Sequence, residues 1–367
     1  MCHPIRATGV ALAVLFALGG SPRTFARVPA APGTPVNLDA EFIRNTVETL
    51  AGKVEAEYFD PAMAARISSR LREALAQGQY AKAPDLDALA TLVSSDMYAV
   101  AKDRHLSLAL VRPQPTRPVP GPNPPQETRE QRSKRENFGF QKIEILPGNI
   151  GYLRVTAFYR PEETGETIAE AMAFLSHADA LILDFRDHGG GSTPTVALFT
   201  SYFLDSPDSP LFSVSPRPPE PPREYRTEPA TLKNRNGSRP TFLLTSPRTC
   251  SGGEGVAYLL QERHRALVIG EGTWGGANQI PNPRPIGEGL QAFIPNGHMG
   301  TSLTGKNWEG VGIIPDIPAR ADQALRVAQG LALQALLRSA AEGAGRDILK
   351  KELAQLDPPP AAEPAAH

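Results

Sequence analysis

The chain has 367 residues, room for two modest domains or one large one with an appendage, and its 41% hydrophobic and 21% charged content is that of a globular protein rather than a disordered or fibrous one. Its 38 basic and 39 acidic residues leave a formal charge of −1, so no overall field gathers nucleic acid or anionic lipid. Two cysteines exclude a disulfide scaffold, and seven histidines without HxxxH or Cys/His spacing give no sign of a metal site.

Residues 1–26 read as an export signal: Arg6 supplies charge, 10–18 an apolar run too short to span a bilayer, and Thr24-Phe-Ala26 small residues for cleavage. The mature protein is therefore expected in the periplasm or outside the cell, without a stable membrane span. Cys2 leaves with the signal, and Cys250 remains as a lone, buried thiol. Residues 27–38 form a Pro/Ala-rich linker. Over 39–104 three apolar series recur at helical spacing: Phe42, Val47, Leu50, Val54 and Tyr58; Met63, Ile67, Leu71 and Leu75; Leu89, Leu92, Met97 and Val100. Asn37 or Asp39, Asp60 before Pro61, and Asp85 or Asp87 stand where caps belong, so a small bundle of three helices is predicted.

Residues 105–137 open with a strand at 105–111 and continue as a Pro-rich, then charged connector. Strands follow at 138–146 and 150–155, then a helix over 162–176, an apolar strand at 180–185 and a helix over 193–204. The Pro-rich stretch 207–229 reads as a surface loop or a lid. A strand at 241–244, a helix over 254–263 with Val256, Leu259 and Leu260 inward, and a strand at 266–270 repeat the order. Alternating strands and helices predict an α/β core over 138–340 with parallel pairing, its strands apolar on both faces. Residues 341–367 supply a helical end and a Pro/Ala-rich tail.

Two loops carry the chemistry. Ser251 stands between an apolar strand and a helix, where its hydroxyl is exposed and the following N–H groups point at developing negative charge. A plain N-cap followed by glycines is the other reading. The loop Asp184-Phe-Arg-Asp-His-Gly-Gly-Gly-Ser192 has glycines that let its backbone approach a ligand, and it lacks the Lys-Ser/Thr of a phosphate loop. Taken singly, His105 reads as a surface imidazole and Glu309 as a solvated carboxylate.

Together, Asp103-Arg-His-Leu106, Gly148-Asn-Ile-Gly-Tyr-Leu153, Leu183-Asp-Phe-Arg-Asp-His-Gly-Gly-Gly191, Thr245 through Glu254, Val268-Ile-Gly-Glu-Gly-Thr-Trp-Gly-Gly276 and Trp308-Glu-Gly-Val-Gly-Ile-Ile-Pro-Asp316 resemble peptidase family S41. The likeness runs over roughly 40–335, to the branch of tricorn cores and interphotoreceptor retinoid-binding repeats, related to the C-terminal processing peptidases. It implies a ClpP/crotonase-like α/β core behind the helical bundle. The connector is too short for a PDZ domain. It also implies a serine endopeptidase acting through an acyl-enzyme on peptides or unfolded protein, without cofactor or metal. A Ser–Lys mechanism does not fit, because Thr273-Trp-Gly-Gly-Ala277 has no Lys and Lys306 is the only one between Lys233 and Lys350. The tricorn-like set fits: Ser251 as nucleophile, His105 as base, Glu309 to orient it, with the oxyanion held by the Gly252 N–H and that of Gly189 or Gly190. Arg104 stands where that branch has a Ser linking Glu to His, which leaves the Glu309–His105 contact direct, water-mediated or absent. The alternative is a silent relative that binds hydrophobic small molecules.

Overall fold

A computed structural model of the chain describes residues 38–111, 128–228, 235–287 and 289–356. The expected export signal, the linker through residue 37, most of the connector and the Pro/Ala-rich tail lie outside these residues. In chain order the elements are α1 (Ala40–Glu57), α2 (Pro61–Ala76), α3 (Leu86–Ala101), β1 (Ser107–Leu110), α4 (Arg129–Arg135), β2 (Phe140–Leu146), β3 (Ile150–Val155), α5 (Pro161–Phe174), β4 (Ala180–Asp184) and α6 (Thr193–Ser201). They continue with β5 (Pro210–Pro216), β6 (Arg223–Arg226), β7 (Thr241–Thr245), α7 (Gly252–Glu262), β8 (Leu267–Gly270), β9 (Arg284–Gly287), β10 (Leu290–Phe293), β11 (Gly297–Thr301), β12 (Ile317–Pro318), α8 (Ala324–Ser339) and α9 (Ala344–Gln355).

Asp39, Asp60 and Asp85 start the first three helices, each carboxylate accepting a first-turn N–H, from Phe42 (2.8 Å), Ala62 (2.9 Å) and Ala88 (2.8 Å). A negative group there also complements the helix dipole. Val47, Leu50, Val54, Ile67, Leu71, Leu89, Val93 and Met97 are buried where these helices meet. The antiparallel sheet β1-β10-β9 closes the same cluster with Leu108, Ile286, Leu290 and Ala292. The helical region thus draws residues 284–294 of the later chain into its core.

The second body is a six-stranded sheet in the order β12-β8-β7-β4-β3-β2, parallel except for β2 against β3. Strand β4 shows why its sequence lacks alternation. Leu181 and Leu183 pack with Ile168 of α5, Phe199 of α6 and Leu260 of α7, while Ala180 and Ile182 pack with Ala328 and Ala332 of α8. Helices cover both faces, so positions 180–183 are all apolar and only Asp184, at the strand's end, is polar. The Pro-rich stretch that read as a loop or lid folds instead as the hairpin β5–β6, and β5 pairs in turn with β11. Prolines at strand ends and edges tolerate this, because no ladder bond needs their missing N–H. Among the described residues no helix is long and apolar enough to cross a membrane.

Candidate active site

Parallel pairing sets Asp184 beside Leu244 and Thr245 beside Gly270, so the loops leaving β4, β7 and β8 emerge along one sheet edge. Short bonds knit them together. The Thr249 hydroxyl donates to Phe185 O (2.7 Å), the Cys250 N–H to His188 O (2.9 Å) and the Trp274 N–H to Thr249 O (3.0 Å). Asp184 accepts the Tyr152 hydroxyl (2.6 Å) and two donors of Arg186 (2.6 and 2.8 Å), which fixes the first turn of the glycine loop.

Ser251 sits at the N-terminus of α7 with φ 50° and ψ −117°, a backbone state rare for a residue with a side chain. Its N–H donates to Glu254 Oε2 at 2.7 Å. The Glu254 carboxylate is fully buried and also accepts the Thr273 hydroxyl and the Gly275 and Gly276 N–H groups. Burial raises the Glu254 pKa, against the pull of those donors. Glycine is required opposite Ser251: a Cβ on Gly190 would lie 2.7 Å from Ser251 Cβ and 3.3 Å from its Oγ.

Two of the expected oxyanion donors are already spent. The Gly189 N–H donates to Thr156 O (2.8 Å), and the Gly190 N–H to His188 Nδ1 (3.0 Å). The reason is the loop's own folding, which turns those amides back onto β3's end and onto the buried imidazole. Free of acceptors among the described residues are the N–H groups of Gly252 and of Gly191, and a Cβ on Gly252 would lie 3.2 Å from Gly191 N. Gly252 and Gly191 therefore carry the unspent N–H groups of the two loop segments next to Ser251.

The His105 side comes from the corner between α3 and β1. His105 is buried, its ring edge-on to Trp274 with centroids 5.0 Å apart, and its Nδ1 has no partner among the described residues. Burial pushes its pKa down to about 4, so the imidazole is neutral at pH 7 and able to accept a proton. Glu309 accepts the Arg104 N–H at Oε1 (2.9 Å) and the Ala277 and Asn278 N–H groups at Oε2 (2.7 and 3.0 Å). Burial first, and the neighbouring Asp103 charge second, raise its pKa to about 7. Asp103 accepts the His105 N–H (2.9 Å), the Tyr58 hydroxyl (3.1 Å) and the Asn278 amide (2.9 Å), tying the corner to the end of α1. Burial raises its pKa too.

Chain folding thus gathers Asp103, His105 and Glu309, one side-chain N or O atom of each lying within 4.8 Å of the other two. Each of the two carboxylates accepts three N–H or O–H donors, and these bonds tie the corner between α3 and β1 to the end of α1 and to the loop that follows β8. No hydrogen bond among the described residues joins His105 to Glu309 or to Ser251. The two sides meet through Gly276, whose N–H reaches Glu254 Oε2 (3.1 Å), the oxygen that also holds the Ser251 N–H. A Cβ on Gly276 would stand 2.7 Å from His105 Cε1.

Sequence reasoning missed Glu254, Asp103, His188 and Gly191. All four lie in the stretches that carry the resemblance, and Glu254 had a local signal besides: Ser251-Gly-Gly-Glu254 is the S-x-x-E spacing of a capping box. His188 is wholly buried between Phe158 (centroids 4.4 Å) and Phe185 (4.8 Å), with Nε2 unpartnered among the described residues and its pKa pushed down to about 3 by burial.

Comparison with known proteins gives the same outline. The family described as Peptidase family S41 matches residues 149–319, and the N-terminal domain of Peptidase_S41 in eukaryotic IRBP matches residues 38–147. Chloroplastic carboxyl-terminal-processing peptidase 2 of Arabidopsis thaliana is 28% identical over 188 residues, 47% of this chain and 33% of that protein. Carboxy-terminal processing protease CtpA of Bacillus subtilis (strain 168) is 27% identical over 150 residues, 39% of this chain and 30% of that protein. The chain thus spans about a third of the length of the curated relatives it matches. Among solved structures, a putative peptidase from Parabacteroides merdae ATCC 43184 aligns over 82% of this chain and 99% of its own at TM-score 0.51 and 17% identity. The tricorn protease aligns over 86% of this chain and 37% of its own at TM-score 0.50 and 14% identity. At such identities the two structures speak for the fold alone.

Proposed function

Because the chain belongs to peptidase family S41, we propose that it is a serine endopeptidase that cleaves peptides or unfolded protein through an acyl-enzyme on Ser251. The single observation that carries this is Ser251 on a strained turn at a helix N-terminus, with the unspent N–H groups of Gly252 and Gly191 in the loop segments next to it. In the proposed cycle, neutral His105 takes the hydroxyl proton as Ser251 attacks the carbonyl carbon. The N–H groups of Gly252 and Gly191 hold the oxyanion, and His105 then returns the proton to the leaving amine. Ionised Glu309 stabilises the imidazolium that forms between those steps. Water repeats the sequence to release the acid.

Removing one oxyanion donor in such a site costs about 3 kcal/mol of transition-state stabilisation. Export directed by residues 1–26, a helical region over 39–104 and a peptidase core over 138–340 belong to the same proposal. The gap in hydrogen bonding between His105 and Ser251 favours a second reading, a silent ligand-binding relative, which the same experiment separates. A fluorophosphonate probe is expected to label the full chain at neutral to mildly alkaline pH and to leave Ser251→Ala unlabelled. No labelling from pH 5 to 9 would favour the silent reading.

A further inference from the structure

We infer that the trough beside the base is a substrate subsite that takes a peptide carboxylate on Arg104; this rests on the peptidase reading above. A cavity of about 460 Å³ runs between α3 and β1 and reaches the catalytic corner at Arg104 and Trp274. Thr91, Ser95 and Tyr98, on one face of α3, line its wall. The Ser94 hydroxyl is spent, donating to Leu108 O (3.1 Å) and accepting the Leu108 N–H (2.9 Å), so it staples helix to strand along the trough's floor.

Arg104 has two separate roles. Its backbone N–H holds Glu309, and its side chain extends over the trough's end, exposed, with the guanidinium carbon 5.7 Å from the Tyr98 ring centroid. Lys102 lies over the same ring at 5.3 Å. No carboxylate among the described residues pairs with either cation. The near acids, Asp103 and Glu309, are turned inward onto donors of their own. Asp87, which also lines the trough, stands three helical turns away at its far end. A guanidinium offers a planar fork that fits a carboxylate, so Arg104 is the better-shaped partner for an anion arriving here, with the Lys102 ammonium beside it. That carboxylate has two possible sources in a peptide, an acidic side chain or the free C-terminus.

The test is binding of fluorescein-labelled octapeptides to the full chain carrying Ser251→Ala, followed by anisotropy. Three probes differ only in carboxylate: a C-terminal amide with one Glu, the same with Gln, and the Gln peptide with a free C-terminus. At least one carboxylate probe should bind about 10-fold tighter than the neutral one, the gain of a charge-assisted pair, and whichever does so identifies the source. Arg104→Gln should bring the ratio to near one, and Arg104→Glu should reverse it, since either variant keeps the backbone N–H that Glu309 needs. Equal affinities for the three probes, no binding, or a ratio that survives Arg104→Gln would overturn the inference. Probe labelling of Ser251 in the unsubstituted chain is read beside it. Labelling with equal affinities defeats the subsite alone, and a preserved ratio without labelling defeats the hydrolytic reading alone.

Discussion

The two sides of the cleft are anchored differently. Ser251 is held from the sheet: the ends of β4, β7 and β8 fix its loop, and the buried Glu254 gathers four donors around its backbone. His105 stands on a corner of the helical region and is held by side chains, with Asp103 gripping its N–H and Tyr58 and Asn278 gripping Asp103. Ser251 and the N–H groups proposed to hold the oxyanion are therefore set by the sheet itself, whereas placement of His105, the proposed base, depends on polar links between distant segments. Substitutions should separate the two sides accordingly.

The largest effect belongs to the reacting atoms. Ser251→Ala should lower kcat by about 10⁶-fold while the thermal midpoint stays put, and His105→Ala should cost nearly as much, with the double variant no worse than either single one. Steady-state kinetics on a peptide substrate and a thermal scan check this. Two independent, multiplying losses would mean the residues do not act as a unit.

Next is Glu309→Gln, expected to reduce kcat by roughly 10²- to 10⁴-fold, as when a triad carboxylate is neutralised. A carboxyl with its folded pKa raised to about 7 is a neutral acid below that pH and an anion above it. Activity should therefore rise through pH 7 in the native chain. In the Gln variant that limb should fade, leaving the His105 ionisation near pH 4. An unchanged profile would remove Glu309 from the mechanism.

Stability should report the sheet side. Glu254→Ala orphans four donors around a buried site and should cost about 3–5 kcal/mol in urea unfolding, with Glu254→Gln milder. A loss under 1 kcal/mol would show that the loop does not need this carboxylate.

The smallest effect concerns His188. Its folded pKa of about 3 lies below the ordinary 6.5, so the unfolded chain takes up a proton that the folded chain refuses as pH falls from 6.5 towards 3. Its contribution is intact above 6.5 and declines below it, by about 2 kcal/mol at pH 5. His188→Asn should lose less stability than the parent between pH 7 and pH 5, and parallel losses would place the acid sensitivity elsewhere.

Much of this was legible in the residues, for physical reasons. The first three helices announced themselves through Asp39, Asp60 and Asp85 and a repeating apolar face, and β4 and β7 through unbroken apolar runs. The hairpin β5–β6 was hidden because prolines masked its strand pattern, and β9 to β11 because glycines and prolines interrupt them. Ser251 stood out by its place between a strand and a helix as well as by resemblance, His105 and Glu309 only by resemblance. Their helpers did not, because Asp103 and Glu254 act through contacts made across the fold, and the choice of Gly191 over Gly189 and Gly190 depends on which amides the loop consumes in folding.

The most direct measurement is an experimental structure of the phosphonylated enzyme. The Ser251–phosphorus adduct is expected to place its oxygen between the Gly252 and Gly191 N–H groups and to bring an imidazole nitrogen of His105 within about 3.2 Å of Ser251 Oγ. An adduct in which that ring stays beyond about 5 Å, out of hydrogen-bond reach, would contradict the pairing of base and nucleophile.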